Sequence, residues 1–408
     1  MLRRLVATLG VAVCAASFSM LARAQQAAGG SLAEAFAAIE EGLGAAADAA
    51  AEERAALLHL AAQLHYHEGR AAEAIAAGQA CVLESSAAGD DELLARGHDL
   101  VAIARVLAGQ PLPPVEDSTG AAERGAQDLT PEHPIDIHLA LWDRDLLGDR
   151  TCAELTRSAA ALTERARQRN APEAVASGLY GQGTAALAAG QPEAAQVLLQ
   201  DARNRFRELA SGMGEALALE RLATLLVQEG RSEEASRLLA DAVVLAERGV
   251  LRRHVLTRLH ATEVRLRLSA RLASQAEAAA REASESAARH GECVACDALF
   301  RPEAVRVDLA FGRLDEAEGE VRALEEIARQ RGGRGLAAVA RLSRARVLAA
   351  RGRGEDALVS LAQARAGFLS GGLRYEAART VRLEARLRGS LPEAWRSLDA
   401  LVRVDADA

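Results

Sequence analysis

Apolar residues in this chain recur three and four positions apart, in stretches of about four helical turns, and most stretches end at a glycine. The clearest runs from Gly214 to Gln228, with Leu219, Leu222 and Leu226 on one face, and stops at Glu229-Gly230-Arg231. A second stretch follows, with Ala235, Leu239 and Ala242 on one side and acidic Glu233 and Glu234 at its start. The pattern predicts two helices joined by a short turn whose glycine adopts the left-handed conformation. Such turns stand at Gly69, Gly109, Gly148, Gly190, Gly230, Gly312, Gly352 and Gly389, with a degenerate copy at Ala270-Arg271. A nearly constant period of about forty residues builds a stack of like helix pairs, not one globular core. No run alternates apolar and polar residues with β-branched side chains, so no sheet is expected.

In these residues the chain resembles the tetratricopeptide repeat (TPR) family, in its long variety of about forty residues per repeat. Large apolar residues precede the turn at Leu219, Leu222 and Leu226, with small Ala223 among them, and Ala235, Leu239 and Ala242 follow it. Around Gly190 the corresponding residues are Leu179, Gly183, Ala195, Leu199 and Ala202. Around Gly352 they are Ala357, Leu361 and Ala364, and around Gly389 they are Ala394, Leu398 and Leu401. The resemblance covers roughly residues 50–403. It implies an all-α fold, a right-handed superhelical solenoid of about eight to nine helix-turn-helix units. It also implies a concave groove that holds a protein or peptide segment.

The ends and breaks set the domain organisation. Residues 1–24 read as a signal peptide: Arg3 and Arg4, an apolar run to Leu21, then Ala22-Arg23-Ala24 with small residues where a signal peptidase reads. Cleavage after Ala24 would leave an exported, periplasmic or secreted chain with no membrane span. Residues 25–50 are an Ala-rich segment, 51–109 the N-terminal repeats, 132–403 the main array and 404–408 a tail. Between the arrays, residues 110–131 carry Pro111, Pro113, Pro114 and Gly120 where a second helix belongs, which predicts a linker or loop. Local irregularity is also expected near Ala270, where the glycine is lost, and around Gly312, where apolar places hold Arg301 and Asp308.

Charge adds a polarity. The chain carries 49 basic residues, all of them Arg, against 57 acidic ones, a net of −8. The deficit lies before residue 250, and the last third is net basic. That asymmetry suits an acidic partner towards the C-terminal half, or self-association of opposite ends. Net negative charge and 3% aromatics argue against nucleic acid as a partner.

Residues one helix face away from the packing positions are expected to line the concave groove. In chain order these are His59, Gln63, Tyr66, His138, Trp142, Tyr180, Thr184, Glu220, Thr224, His260, Arg267, Arg306, Arg346, Arg379 and Arg386. Aromatic and His side chains dominate the first half and Arg the second, a set that can grip a carboxylate or phosphate. The one sharp chemical motif is Cys293-Val-Ala-Cys296. Two thiols three apart can form a local structural disulfide, a redox pair or half a metal site. No second such pair accompanies it and no His follows Cys296, so neither metal nor cofactor is expected. The cluster His59, His65 and His67 lacks a completing carboxylate pattern. Gly178, Gly181 and Gly183 lie inside a helical pattern without a preceding strand, which predicts close helix packing instead of a phosphate loop. No nucleophile and base stand at a recognisable spacing. The expected function is a non-enzymatic, exported scaffold or adaptor, with a thiol-redox or metal-responsive envelope protein using Cys293 and Cys296 as the alternative.

Overall fold

The computed structural model describes residues 39, 51–67, 70–108, 139, 142, 145–248, 252–290 and 293–389. Among these residues fifteen α-helices can be followed from end to end, and there is no strand. The signal segment, residues 110–131, His138 and the second helix after Gly389 lie outside the described residues. The chain divides into two compact units, with the main boundary after Asp128.

The first unit contains α1 (Ala51–His67), α2 (Ala71–Ala88) and α3 (Asp91–Leu107), each packed on the other two. Small residues allow the approach: Ala55, Ala62, Ala74, Cys81 and Ala104 are fully buried. A Cβ on Gly78 would stand 2.7 Å from the Val101 side chain. Gly89 ends α2 in the left-handed conformation, and Asp90 accepts a hydrogen bond from the Leu93 backbone N–H at 2.9 Å to start α3.

The second unit contains α4 (Cys152–Gln168), α5 (Pro172–Ala188), α6 (Pro192–Glu208), α7 (Gly212–Gln228), α8 (Ser232–Arg248) and α9 (Arg252–Ser269). It continues through α10 (Ala273–His290), α11 (Val294–Ala310), α12 (Leu314–Arg331), α13 (Arg334–Ala350), α14 (Gly354–Ser370) and α15 (Arg374–Arg388). The odd-numbered helices from α5 onward pack in succession on one another, forming an inner layer. Of these, α5, α7 and α9 are buried over most of their surface, whereas α6 and α8 bury a single stripe: Ala195, Leu199, Ala202 and Phe206, then Ala235, Leu239, Ala242 and Ala246. The glycine cluster of α5 is packing, as its sequence context predicts. A Cβ at Gly178 would fall 2.9 Å from the Ala159 carbonyl oxygen, and one at Gly181 would fall 2.7 Å from the Trp142 ring.

The inner layer turns far enough for α15 to meet α5. The Cys152 N–H donates to the Gly371 carbonyl at 2.9 Å, and Cys152 is buried with Leu342, Leu361, Phe368 and Leu373. Gly335 makes a second contact possible, since its Cβ would fall 2.9 Å from backbone atoms of Leu147.

Neither expected irregularity breaks the array. Arg271 takes the place of the turn glycine at φ +61°, and the Leu272 N–H reaches the Arg267 carbonyl at 2.8 Å, as Arg231 reaches Leu226 beyond Gly230 at 2.9 Å. The helix-end hydrogen bonds thus hold an exposed arginine in a conformation costing roughly 1 kcal/mol. Arg271→Gly is therefore expected to stabilise the chain by about 0.5–1 kcal/mol in urea unfolding; no change in midpoint would show the turn relaxed. Near Gly312, α11 runs unbroken through Pro302, and the polar residues at apolar places are ion-paired. Arg301 donates to Glu320 at 2.6 Å and Arg313 to Asp308 at 3.0 Å.

Candidate functional site: an arginine cluster on the inner helices

The inner helices carry polar residues at matching heights, and their spacing brings residues about one repeat apart into contact. The clearest pair is Glu220 of α7 with Arg258 of α9, at 3.0 Å with side chains only 4% and 3% exposed. Thr262 donates to the other Glu220 oxygen at 2.6 Å and Thr224 donates to the same atom at 3.0 Å. The carboxylate is thus satisfied at both oxygens in a buried setting.

A second carboxylate lies in a different balance. Glu303 of α11 is 1% exposed and accepts from Arg265 of α9 at 3.0 Å and from Arg306 of its own helix, with Arg379 of α15 at 3.9 Å. Burial pushes the Glu303 pKa up, but Arg306, Arg265, Arg379 and Arg346 overcome it and hold the carboxyl well below its ordinary range. Arg379 also pairs with Glu376 at 2.7 Å. Arg346 of α13 completes the group and, among the described residues, has neither a hydrogen bond nor an ion pair. Burial, and then the like charges of Arg379 and Arg306, push its pKa down against the pull of Glu303 and Glu376.

Four guanidinium groups against two carboxylates leave two positive charges in one place. The arginines are not sealed in: Arg265, Arg306 and Arg379 remain 21%, 19% and 16% exposed above the covered Glu303. Positive charge in excess at a half-buried site, with forked donors on four helices, is the arrangement that binds a carboxylate or phosphate.

The groove expectation fares differently elsewhere. His59, Tyr66, Trp142, Tyr180, Thr184, Glu220, Thr224 and His260 are all buried in the helix packing, so they do not line an open surface. Small residues at helix contacts, such as Gly181 against Trp142 and Ala159, permit such close packing. Trp142 donates its indole N–H to Ser177 at 3.2 Å, and burial drives the pKa of His59 down to about 4. Gln63 is half-buried and Arg386 exposed, while Arg267 is held by Glu263 at 3.1 Å. Of the expected set, Arg306, Arg346 and Arg379 meet at one place.

The cysteine pair is a disulfide, Cys293–Cys296. Cys293 caps α11, and its sulfur accepts the Cys296 N–H at 3.1 Å. His254 of α9 approaches with Nδ1 3.7 Å from the Cys296 sulfur, all three residues being buried. A third ligand-type residue here was missed in the sequence. The signal was the interval: His254 precedes Cys296 by one repeat, and residues one repeat apart on inner helices meet. Cys81 and Cys152 are free and buried, which pushes both thiols up to about 11.

A shallow groove of about 590 Å³ lies on the surface of α13 and α14, lined by Asp149, Arg334, Arg341, Gln363 and Gly367 among others. It shares no residue with the arginine cluster. No helix among the described residues is long and apolar enough to cross a membrane.

Helix pairs with left-handed turns and buried alanines at fixed places in each outer helix decide the fold class. The fold is TPR-like. Among solved structures, a Rap protein complexed with competence and sporulation factor matches over 84% of this chain and 99% of its own, at 13% identity and a TM-score of 0.45. Yeast Tom70 matches over 97% of this chain and 91% of its own, at 14% identity and a TM-score of 0.35. No protein-family model and no curated protein matches the chain. The reading of the site therefore rests on this chain's own residues.

Proposed function

We propose that this chain is a non-enzymatic TPR-like scaffold that binds an acidic segment of a protein partner, with one carboxylate held by Arg306, Arg346 and Arg379. The observation that carries the reading is Arg346, a half-buried cation that, among the described residues, has neither a hydrogen bond nor an ion pair and stands beside two further arginines that raise its cost. A fold without a ligand gains nothing from such a group, because an uncompensated charge out of water is destabilising. An anionic ligand supplies the missing charge. Fluorescence anisotropy with an acidic peptide, against the same peptide with Asp and Glu replaced by Asn and Gln, tests it. The acidic peptide is expected to bind more tightly and to weaken as salt rises; equal binding of the two peptides would contradict the reading.

The same proposal places the chain outside the cytoplasm, supported by the basic, apolar and small-residue order of residues 1–24. The mature protein is expected to begin at Gln25. Mass spectrometry of the N-terminal peptide checks this, and a retained Met1 in the native host would contradict it.

A further inference from the structure

We propose that Cys293, Cys296 and His254 form a redox-gated zinc site, closed as the disulfide and opened on reduction. The geometry is nearly in place. The two cysteine Cα atoms are 5.2 Å apart, and the three ligand atoms lie within 4.8 Å of one another. The 3.7 Å between His254 Nδ1 and the Cys296 sulfur suits two ligands of one tetrahedral zinc, which stand about 3.6 Å apart for bonds of about 2.1 and 2.3 Å. The two sulfurs must separate to ligate one metal, and breaking their bond permits it.

The surroundings favour thiolates once the bond is open. Cys293 stands at the start of α11, where the helix dipole and free N–H groups favour negative charge. The Cys296 N–H already points at its sulfur at 3.1 Å, the hydrogen bond that a metal-bound thiolate accepts. Two thiolates and one neutral imidazole balance a divalent zinc, and soft sulfur with nitrogen is the donor set that zinc prefers. The fourth position is left to water. The helix turn holds the two cysteines together, and the repeat interval delivers the histidine.

The chemistry balances in two steps. A dithiol reductant passes two electrons and two protons to the disulfide, giving two thiols, and is itself oxidised to a disulfide. Zinc then binds both sulfurs, and the two thiol protons leave to solvent.

The test uses the full chain. It is reduced with a dithiol, freed of the dithiol under argon and titrated with Zn²⁺ against a chromophoric chelator. The reduced chain is expected to take up one zinc, and the disulfide form none at the same concentrations. His254→Ala is expected to weaken binding at least about tenfold. Should that variant fail to fold, X-ray absorption on the zinc-loaded wild-type chain decides, with two sulfurs and an imidazole nitrogen expected around the metal. Absence of zinc uptake after reduction, equal uptake by the disulfide form, equal affinity in His254→Ala or a shell without sulfur would each overturn the proposal.

Discussion

Replacing Glu220 by alanine is expected to destabilise the second unit by about 4 kcal/mol, among the largest effects of any single substitution in this chain. Arg258 is almost wholly covered, so removing its 3.0 Å carboxylate leaves the guanidinium charge without compensation from water. Thr262 and Thr224 lose their acceptor in the same step. The double variant Glu220→Leu with Arg258→Met is expected to recover most of the loss, because two apolar side chains of similar length need no partner. Urea unfolding of both variants separates the outcomes. A double variant as unstable as the single one would mean that the pair stabilises beyond its charge balance.

Glu303→Gln is expected to cost about 3 kcal/mol, less than at Glu220 because the arginines around Glu303 keep about a fifth of their surface in water. Its pH signature distinguishes it. The folded carboxyl is held below its unfolded value of about 4.3, so its contribution is present above that pH and is lost as pH falls towards the folded value. The wild-type chain should therefore lose stability below about pH 4.5 more steeply than Glu303→Gln. Parallel acid limbs for the two proteins would contradict the assigned role of the carboxylate.

These two glutamates also mark what the sequence could and could not reveal. The helix pairs were legible because turn glycines and small residues repeat in fixed register: Ala235, Leu239 and Ala242 are buried as their spacing requires. Three of the four arginines of the cluster were legible for the same reason, since Arg306 and Arg346 stand six residues and Arg379 ten residues before a turn glycine, both groove positions of an inner helix. Arg265 and Glu303 were not, because a contact across one repeat leaves no trace in the period of a single helix. Glu220 with Arg258 and Arg265 with Glu303 are each separated by 38 residues, and that common interval was the available clue. The packing of α15 on α5 was hidden for a related reason. It depends on how far successive inner helices rotate, which single-helix patterning does not encode. The turn at Arg271 shows the reverse case, in which neighbouring helices and their end hydrogen bonds impose a conformation that the residue itself disfavours.

Arg346 separates a functional cluster from a structural one, because the two roles predict opposite signs. The decisive measurement is the melting temperature of wild-type and Arg346→Met chains, each with and without the acidic peptide. A binding role predicts that Arg346→Met melts higher than wild type without peptide, since a half-buried cation crowded by Arg379 and Arg306 is removed. It also predicts that the peptide raises the wild-type midpoint and leaves the variant's unchanged. An Arg346→Met chain that melts lower than wild type and is still stabilised by the peptide would contradict the account.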